Sequence, residues 1–444
     1  MTEAMNVEIE LKFIATPEVA EQLSQRLAPW PNVHTAAQKL TNIYYETADN
    51  TLRSYDMGLR IRGYGDRYEM TLKTAGKTVG GLHQRPEFNV DLKSAELDIH
   101  LLPAEVWPEG CDLQALQAAL SPVFSTHFAR EKWVVTYRSS EIEVALDQGE
   151  VKAGELSEPL YEIELELKSG SREDLLSFAQ ELATEGGLRL GSLSKAARGY
   201  HLAKGNPERE IVPLGILNVA PKANVEQGMS DAFTFALRHW QANEEVWLHG
   251  DRKAQKSVLE AIELLRQIFV LFGGLVPRKA STALRAGLTE LEEQLATPRL
   301  DAKKVCFSPL YLNTQLALTR WIATAEWRSF VTDKTQTKLN GSFKRFADIM
   351  LGRTGAELKE AFEHVQHGGE YQDKYVRLVR QLLLFHVLSG AYPEESVAEY
   401  LSGWQTLQQA IIQKQDAYIE STRKHAMDQP TFWLNGTQKP SVND

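Results

Sequence analysis

Two carboxylates and an amine stand at every second position of the stretch Val7-Glu8-Ile9-Glu10-Leu11-Lys12-Phe13. Along an extended strand alternate side chains share a face, so Glu8, Glu10 and Lys12 form one row at roughly 7 Å per step and the apolar residues form the other. Almost the same string returns at Tyr161-Glu162-Ile163-Glu164-Leu165-Glu166-Leu167-Lys168. Between the two copies the charged positions are basic instead: Arg60 and Arg62, Lys73, Arg85 with Glu87, then Arg130 and Lys132. Glu141, Glu143 and Asp147 follow, and Lys195 and Arg198 close the series. Carboxylate oxygens bind hard divalent cations, whereas guanidinium and ammonium groups bind phosphate oxygens. Together these residues suit the capture of a polyanion that carries metal ions.

Positioning such a set requires strands. Thr41–Thr47, Leu59–Arg62, Tyr68–Lys73, Gln84–Phe88, Phe128–Tyr137, Ser140–Leu146 and Tyr161–Lys168 alternate or are rich in strand formers, with turns at Gly58, Gly63–Asp66 and Gly76–Gly81. Helical spacing occurs at Pro17–Ala28, Leu113–Leu120 and Glu173–Gly186. A sheet with one face in water accounts for any one of these strands alone. The acids, however, sit on the first and last strands and the bases on the middle ones, which favours a sheet closed with its charged face inward and its apolar face covered by helices. Buried charges without partners cost several kcal/mol each, so such a lining implies a ligand bearing both phosphate and metal.

The ordered set resembles the CYTH superfamily, the triphosphate tunnel metalloenzymes, whose signature is an E-x-E-x-K strand, here Glu8-Ile-Glu10-Leu-Lys12. Tyr44-Tyr-Glu-Thr47, Leu59-Arg-Ile-Arg62, Thr71-Leu-Lys73, Arg85 with Glu87, Arg130, Glu143 to Asp147, Glu162-Ile-Glu164 and Ser194-Lys195 carry the rest of the likeness. The resemblance implies an α+β fold: an eight-stranded antiparallel β-tunnel with flanking helices, binding a triphosphate and Mg²⁺ or Mn²⁺, two ions when substrate is bound. It also implies roles. Arg60, Arg62, Lys73, Arg85, Arg130 and Lys195 would hold phosphate oxygens, and Lys12 would join them or position the attacking water. Glu8, Glu10, Glu162 and Glu164 would hold metal, with Glu87 and Asp147 ordering a basic neighbour or a metal-bound water. Glu166 and Lys168 are expected to run on towards solvent.

After Gly205–Lys222, a stretch with Pro207, Pro213 and Pro221, strand alternation gives way to amphipathic helical spacing from Gly228 to Met427. Glu245, His249, Arg252, Lys253, Lys256 and Arg266, then Arg278, Lys279 and Arg285, and more loosely Lys374, Arg377, Arg380 and His386, resemble the CHAD domain, an all-α helical bundle associated with polyphosphate. The likeness is diluted by Gln255, Ser257 and Leu259. Trp240, Trp247, Trp321 and Trp327 read as core packing. Expected boundaries are 1–204 for the tunnel, 205–222 for a linker, 223–430 for the helical bundle and 431–444 for a tail.

A chain of 444 residues needs more than one core, and 43% hydrophobic with 24% charged residues fits a globular protein. The net charge of −10 argues against general nucleic-acid binding. The first residues lack a signal pattern, no apolar run suffices to span a bilayer, and Cys111 and Cys306 have no metal-binding spacing, which together suggest the cytoplasm. The leading expectation is hydrolysis of inorganic triphosphate to diphosphate and phosphate. Thiamine triphosphatase and class IV adenylate cyclase remain alternatives among enzymes, and a non-catalytic polyphosphate-binding module among binding proteins. A cut after about Gly205 is expected to leave hydrolysis in place.

Overall fold

The structure, a computed structural model, describes residues 6–433, so the expected tail falls outside them from 434 onward. Ten strands form one sheet: β1 (Asn6–Ala15), β2 (Asn32–Glu46), β3 (Gly58–Tyr64), β4 (Arg67–Lys73), β5 (Lys77–Val79), β6 (Leu82–Leu92), β7 (Ser121–Tyr137), β8 (Ser140–Ala153), β9 (Leu156–Ser169) and β10 (Leu188–Leu190). Eight of them run in the order β1-β9-β8-β7-β2-β3-β4-β6, and β6 pairs back to β1 along Asn6–Leu11. The antiparallel barrel is therefore closed. β5 extends it beside β6, and β10 pairs with β1 beyond the point where β6 ends.

Register carries the charged rows inward together. Lys12 stands opposite Glu164, Glu10 opposite Glu166 and His83, and Glu162 opposite Asp147. The apolar side of the strands meets helices, as the alternation required. Leu11 and Phe13 of β1 share a cluster with Val19, Leu23 and Leu27 of α1 (Pro17–Leu27) and with Leu175, Leu176 and Phe178 of α4 (Arg172–Leu182). Thr16 caps α1 by accepting from the Val19 N–H, with Pro17 at its first position. The short helices α2 (Thr51–Ser54) and α3 (Leu113–Ala119) cover a second cluster through Leu52 and Leu116, and α5 (Lys195–Ala203) closes a third through Tyr200 and Leu202.

The remaining helices are α6 (Val225–Leu248), α7 (Ala254–Leu271), α8 (Thr282–Leu295), α9 (Ala302–Cys306), α10 (Pro309–Ala323), α11 (Asp333–Leu339), α12 (Phe343–Glu363), α13 (Gly369–Leu388), α14 (Glu394–Ile412) and α15 (Asp416–Asp428). The chain divides into two compact units: residues up to 210 with 301–324, and residues 211–300 with those from 325 on. Helices α9 and α10, inside the expected helical region in sequence, thus belong with the barrel. In the helical unit Trp240, Trp327 and Trp404 are fully buried and Trp247 nearly so.

Two helices of this unit run unbroken through glycines. Residues 343–363 form one helix through Gly352 and Gly355, and a Cβ on Gly355 would lie 2.6 Å from the Trp433 ring, so that glycine serves packing. Likewise α14 runs through Gly403, and the chain turns only at Lys414, with φ of 52°. From 211 on, the expected linker is bound to the helical unit. Val212 N–H donates to Asn243 Oδ1 at 2.9 Å, Asn243 Nδ2 returns a bond to Val212 O, and Leu217 N–H donates to His386 O. Among the described residues no helix is long and apolar enough to cross a membrane.

Candidate active site

The barrel encloses a cavity of about 680 Å³ lined by Glu8, Glu10, Lys12, Arg60, Arg62, Lys73, Arg85, Glu87, Arg130, Glu164 and Lys195. Of the residues given a phosphate or metal role by the resemblance, Asp147 and Glu162 alone do not line it. Both are fully buried behind its wall.

The buried end of the site is an ion network. Arg130 grips Asp147 with two parallel bonds, Nε to Oδ1 and Nη2 to Oδ2, each 2.7 Å, and Nη2 also donates to Glu164 at 3.0 Å. Lys195, the first residue of α5, puts Nζ 2.9 Å from Asp147, 2.8 Å from Glu162 and 2.5 Å from Glu164. The Lys195–Glu162 approach is a charge contact without hydrogen-bond alignment. Arg198, one helical turn on, donates to Glu162 at 3.0 Å and to Glu158 at 2.7 Å. Burial pushes Glu164 up, but Lys195, Arg130 and Lys12 outweigh it and hold its carboxyl well below the usual range. Glu162 likewise falls to about 2 against burial, through Lys12, Lys195 and Arg198.

Towards the open side the balance reverses. Lys73 Nζ donates to Glu8 at 2.7 Å and lies 3.9 Å from Glu87; burial raises Glu8, yet Lys73 brings it to about 2. Arg85 spends its Nε on Thr74 O at 2.9 Å and an Nη on Asp56 O, so two of its donors are held by backbone. Arg60 and Arg62 share one face of β3 and form no ion pair with a carboxylate among the described residues; Arg62 donates to Asn42 Oδ1 at 2.8 Å. Burial, then repulsion from Arg60 and Arg130, lowers Arg62 to about 9. Glu10 is the acidic counterpart: its buried carboxyl has no hydrogen bond or ion pair among the described residues, and burial with the charges of Glu164 and Glu8 raises it to about 8.

This donor set fits a hard divalent cation. Glu8, Glu10 and Glu164 face one cavity, where burial and then the charges of the other two push the Glu10 carboxyl up, a penalty a cation removes. A second grouping, Asp147, Glu162 and Glu164, offers three oxygens within 4.8 Å of one another, though Lys195, Arg130 and Arg198 already neutralise it. Several residues given no role from the sequence also belong to the site. Glu166 and Lys168, expected in solvent, line the cavity, joined by Lys132, Glu143 and Glu69. The period of two along β9 puts Glu166 and Lys168 on the same face as Glu164, so that signal was present. Arg198 was signalled by its spacing of three from Lys195 on a helix.

In the helical unit many of the singled-out basic residues are engaged. Arg266 pairs with Glu292, which Arg380 approaches to 3.7 Å; Arg285 donates to Ser281 Oγ and Arg278 O; Lys374 donates to Ala361 O. His249 and His386 donate to the backbone oxygens of Glu245 and Gly215, and His364 is exposed. Arg252, Lys253, Lys256 and Lys279 are exposed and pair with no carboxylate among the described residues.

Residues 6–200 match the CYTH domain and residues 231–425 match the CHAD domain. The chain carries both domains. Its CYTH domain is the closed barrel, and its CHAD domain spans the helical half, α9 and α10 included. The chain is 42% identical over 202 residues to an inorganic triphosphatase of Haemophilus influenzae, covering 46% of this chain and 56% of that protein. It therefore spans little more than half of that relative's length. Among solved structures, a Hippeastrum protein described as an adenylyl cyclase candidate with a dominant triphosphatase activity is 20% identical, with 44% of this chain and 95% of that chain covered and a TM-score of 0.33. The CHAD domain of the plant Ricinus communis is 17% identical, with 49% and 89% covered and a TM-score of 0.32. At these scores neither likeness carries an argument.

Proposed function

We propose that the CYTH barrel hydrolyses inorganic triphosphate to diphosphate and phosphate with Mg²⁺ or Mn²⁺, two ions being held when substrate is bound. The observation that carries this is the pair Arg60 and Arg62, half-buried side by side on β3 with no carboxylate ion pair among the described residues and facing the buried Glu10 across one cavity. Such an arrangement is costly when empty and is satisfied by a phosphate chain that brings cations with it. The relative named an inorganic triphosphatase supports the choice among phosphate chains.

Arg60, Arg62 and Arg130, with Lys73, Lys195, Lys12 and the remaining donors of Arg85, bind and orient the phosphate oxygens. Of the four expected metal ligands, Glu8, Glu10 and Glu164 open onto the cavity, and these three hold metal. Glu162 reaches a cation only when Lys195 moves aside; as placed it orients Lys195 and Lys12, and Asp147 does the same for Arg130. Glu87 orders Lys73. Bound metal supplies neutralisation of phosphate charge and acidifies a water ligand. The water oxygen bonds to the terminal phosphorus as the bridging P–O bond breaks in line; the bridging oxygen leaves with the diphosphate, the water oxygen stays on the released phosphate, and the water's proton passes to solvent.

Exposed Arg252, Lys253, Lys256 and Lys279 extend the proposal to polyphosphate at the CHAD domain, and the cysteine usage supports a cytoplasmic location as part of it. The test is initial rates of phosphate release from inorganic triphosphate, thiamine triphosphate and ATP with Mg²⁺ and Mn²⁺. Preference for inorganic triphosphate is expected. Cyclic AMP formed from ATP without orthophosphate would overturn the hydrolase reading, and tight binding without turnover in either metal would mark a receptor.

A further inference from the structure

Helix α10 lies inside the stretch that matches the CHAD domain, yet it packs with the barrel. Leu312 and Leu316 join one apolar cluster with Leu11 and Phe13 of β1, Leu82 of β6 and Leu190 of β10. One turn on, Thr319 is fully buried, and its hydroxyl donates to Gln315 O at 2.9 Å. It sits against Gly80 in the turn between β5 and β6. Gly80 has φ of +60°, and a Cβ there would come 2.1 Å from Thr319 Oγ1, so turn and helix meet without a spare atom.

The next residue in that turn reaches the site. At Lys12, β1 leaves β6, whose pairing ends at Leu11, and takes up β10 from Phe13. Both backbone groups of Lys12 at this junction are held by glycines: its N–H donates to Gly81 O at 2.9 Å, and Gly191 N–H donates to its carbonyl at 2.9 Å. His83 Nε2 donates to Gly191 O at 3.0 Å, bracing the second clasp. A Cβ on Gly81 would lie 2.7 Å from Lys12 O, and one on Gly191 2.8 Å from Lys12 Cγ. The side chain so fixed is buried, with Nζ 3.8 Å from Glu162 and 4.0 Å from Glu164.

We infer that α10, through Thr319 and the Gly80–Gly81 turn, fixes Lys12 in the triphosphate site, and that Thr319 is a positioning residue for the reaction although it lies outside the CYTH match. The kinetic consequence rests on the triphosphatase reading; the placement of Lys12 does not. A misplacement of about 1 Å at a reacting centre is enough to cost on the order of a hundredfold in rate.

The test uses the full chain with Thr319→Leu, which drives the turn away, and Thr319→Ser, which keeps the hydroxyl against Gly80. Thr319→Leu is expected to lower kcat/KM on tripolyphosphate with Mg²⁺ by about tenfold or more, while Thr319→Ser retains it. In a Lys12→Met background Thr319→Leu is expected to add no further loss, because the two changes act on one group. Hydrogen exchange supplies a readout independent of turnover: in Thr319→Leu, peptides covering Leu11–Phe13 and Gly80–Leu82 exchange faster while β7 and β8 stay protected. Unchanged rates and exchange overturn the inference. So does faster exchange across the whole barrel with an additive loss in the Lys12→Met background, which marks general destabilisation. A wild-type chain that cleaves none of the triphosphates sinks the functional reading, and the exchange arm then decides this one.

Discussion

Glu10 and Arg62 are opposite errors of charge that a single ligand corrects. Half-buried Arg62 is lowered to about 9 by desolvation and by Arg60 and Arg130, and Glu10 is raised to about 8 by burial, Glu164 and Glu8. For Glu10 the folded value stands above the ordinary 4.5, so the metal-free fold binds a proton that the unfolded chain has lost. Its contribution is present below pH 4.5 and is lost as pH rises to about 8. A divalent cation demands the ionised form and must displace that proton. Mg²⁺ binding at pH 7 is therefore expected to release about one proton, read by calorimetry in two buffers of different ionisation enthalpy, and to tighten up to about pH 8. Glu10→Gln should abolish both the release and the turnover while leaving the fold intact; turnover at the wild-type rate would remove Glu10 from the metal.

At the scale of elements, β1 and β9 contribute the acids, β3, β4 and β7 the bases, and α5 supplies Lys195 and Arg198 to join them. Helix α10 enters this assembly from elsewhere in the sequence. Leu316 is fully buried in the barrel's cluster, so Leu316→Ala is expected to destabilise the CYTH barrel by about 2–5 kcal/mol, measured by denaturant unfolding of the full chain. A loss below about 0.5 kcal/mol, the range of surface substitutions, would show that α10 is not part of that core. A cut after Gly205 removes Leu312 and Leu316 together and uncovers their neighbours on β1, β6 and β10. Hydrolysis by a fragment ending at about Gly205, expected from the sequence, therefore measures how far the barrel depends on that cover.

Over the whole molecule the two compact units are not consecutive in sequence: the chain passes from the barrel to the helical unit at 211, returns at 301 and leaves again at 325. Ligand binding protects what it orders and leaves the rest unchanged. Tripolyphosphate with Mg²⁺ is therefore expected to slow hydrogen exchange in the barrel strands and in α10, but not in α14 and α15. Protection of α14 and α15 without the barrel would move the triphosphate site to the helical unit.

The sequence by itself determined the barrel and most of its lining. Strand alternation fixes which side chains share a face, and closure then leaves one inside for all of them to share. This made Glu8, Glu10, Lys12, Arg60 and Arg62 legible, and it made Glu166 and Lys168 legible too had the period been followed to its end. The sequence did not reveal depth or long-range packing. Whether Glu162 opens onto the cavity or lies sealed behind Lys195 depends on where α5 docks, and no local pattern records that. The place of α10 was hidden for the same reason. Its helical spacing announces a buried stripe, but which apolar surface covers Leu312 and Leu316 is a choice among all such surfaces in the chain, made only when β1, β6 and β10 come together.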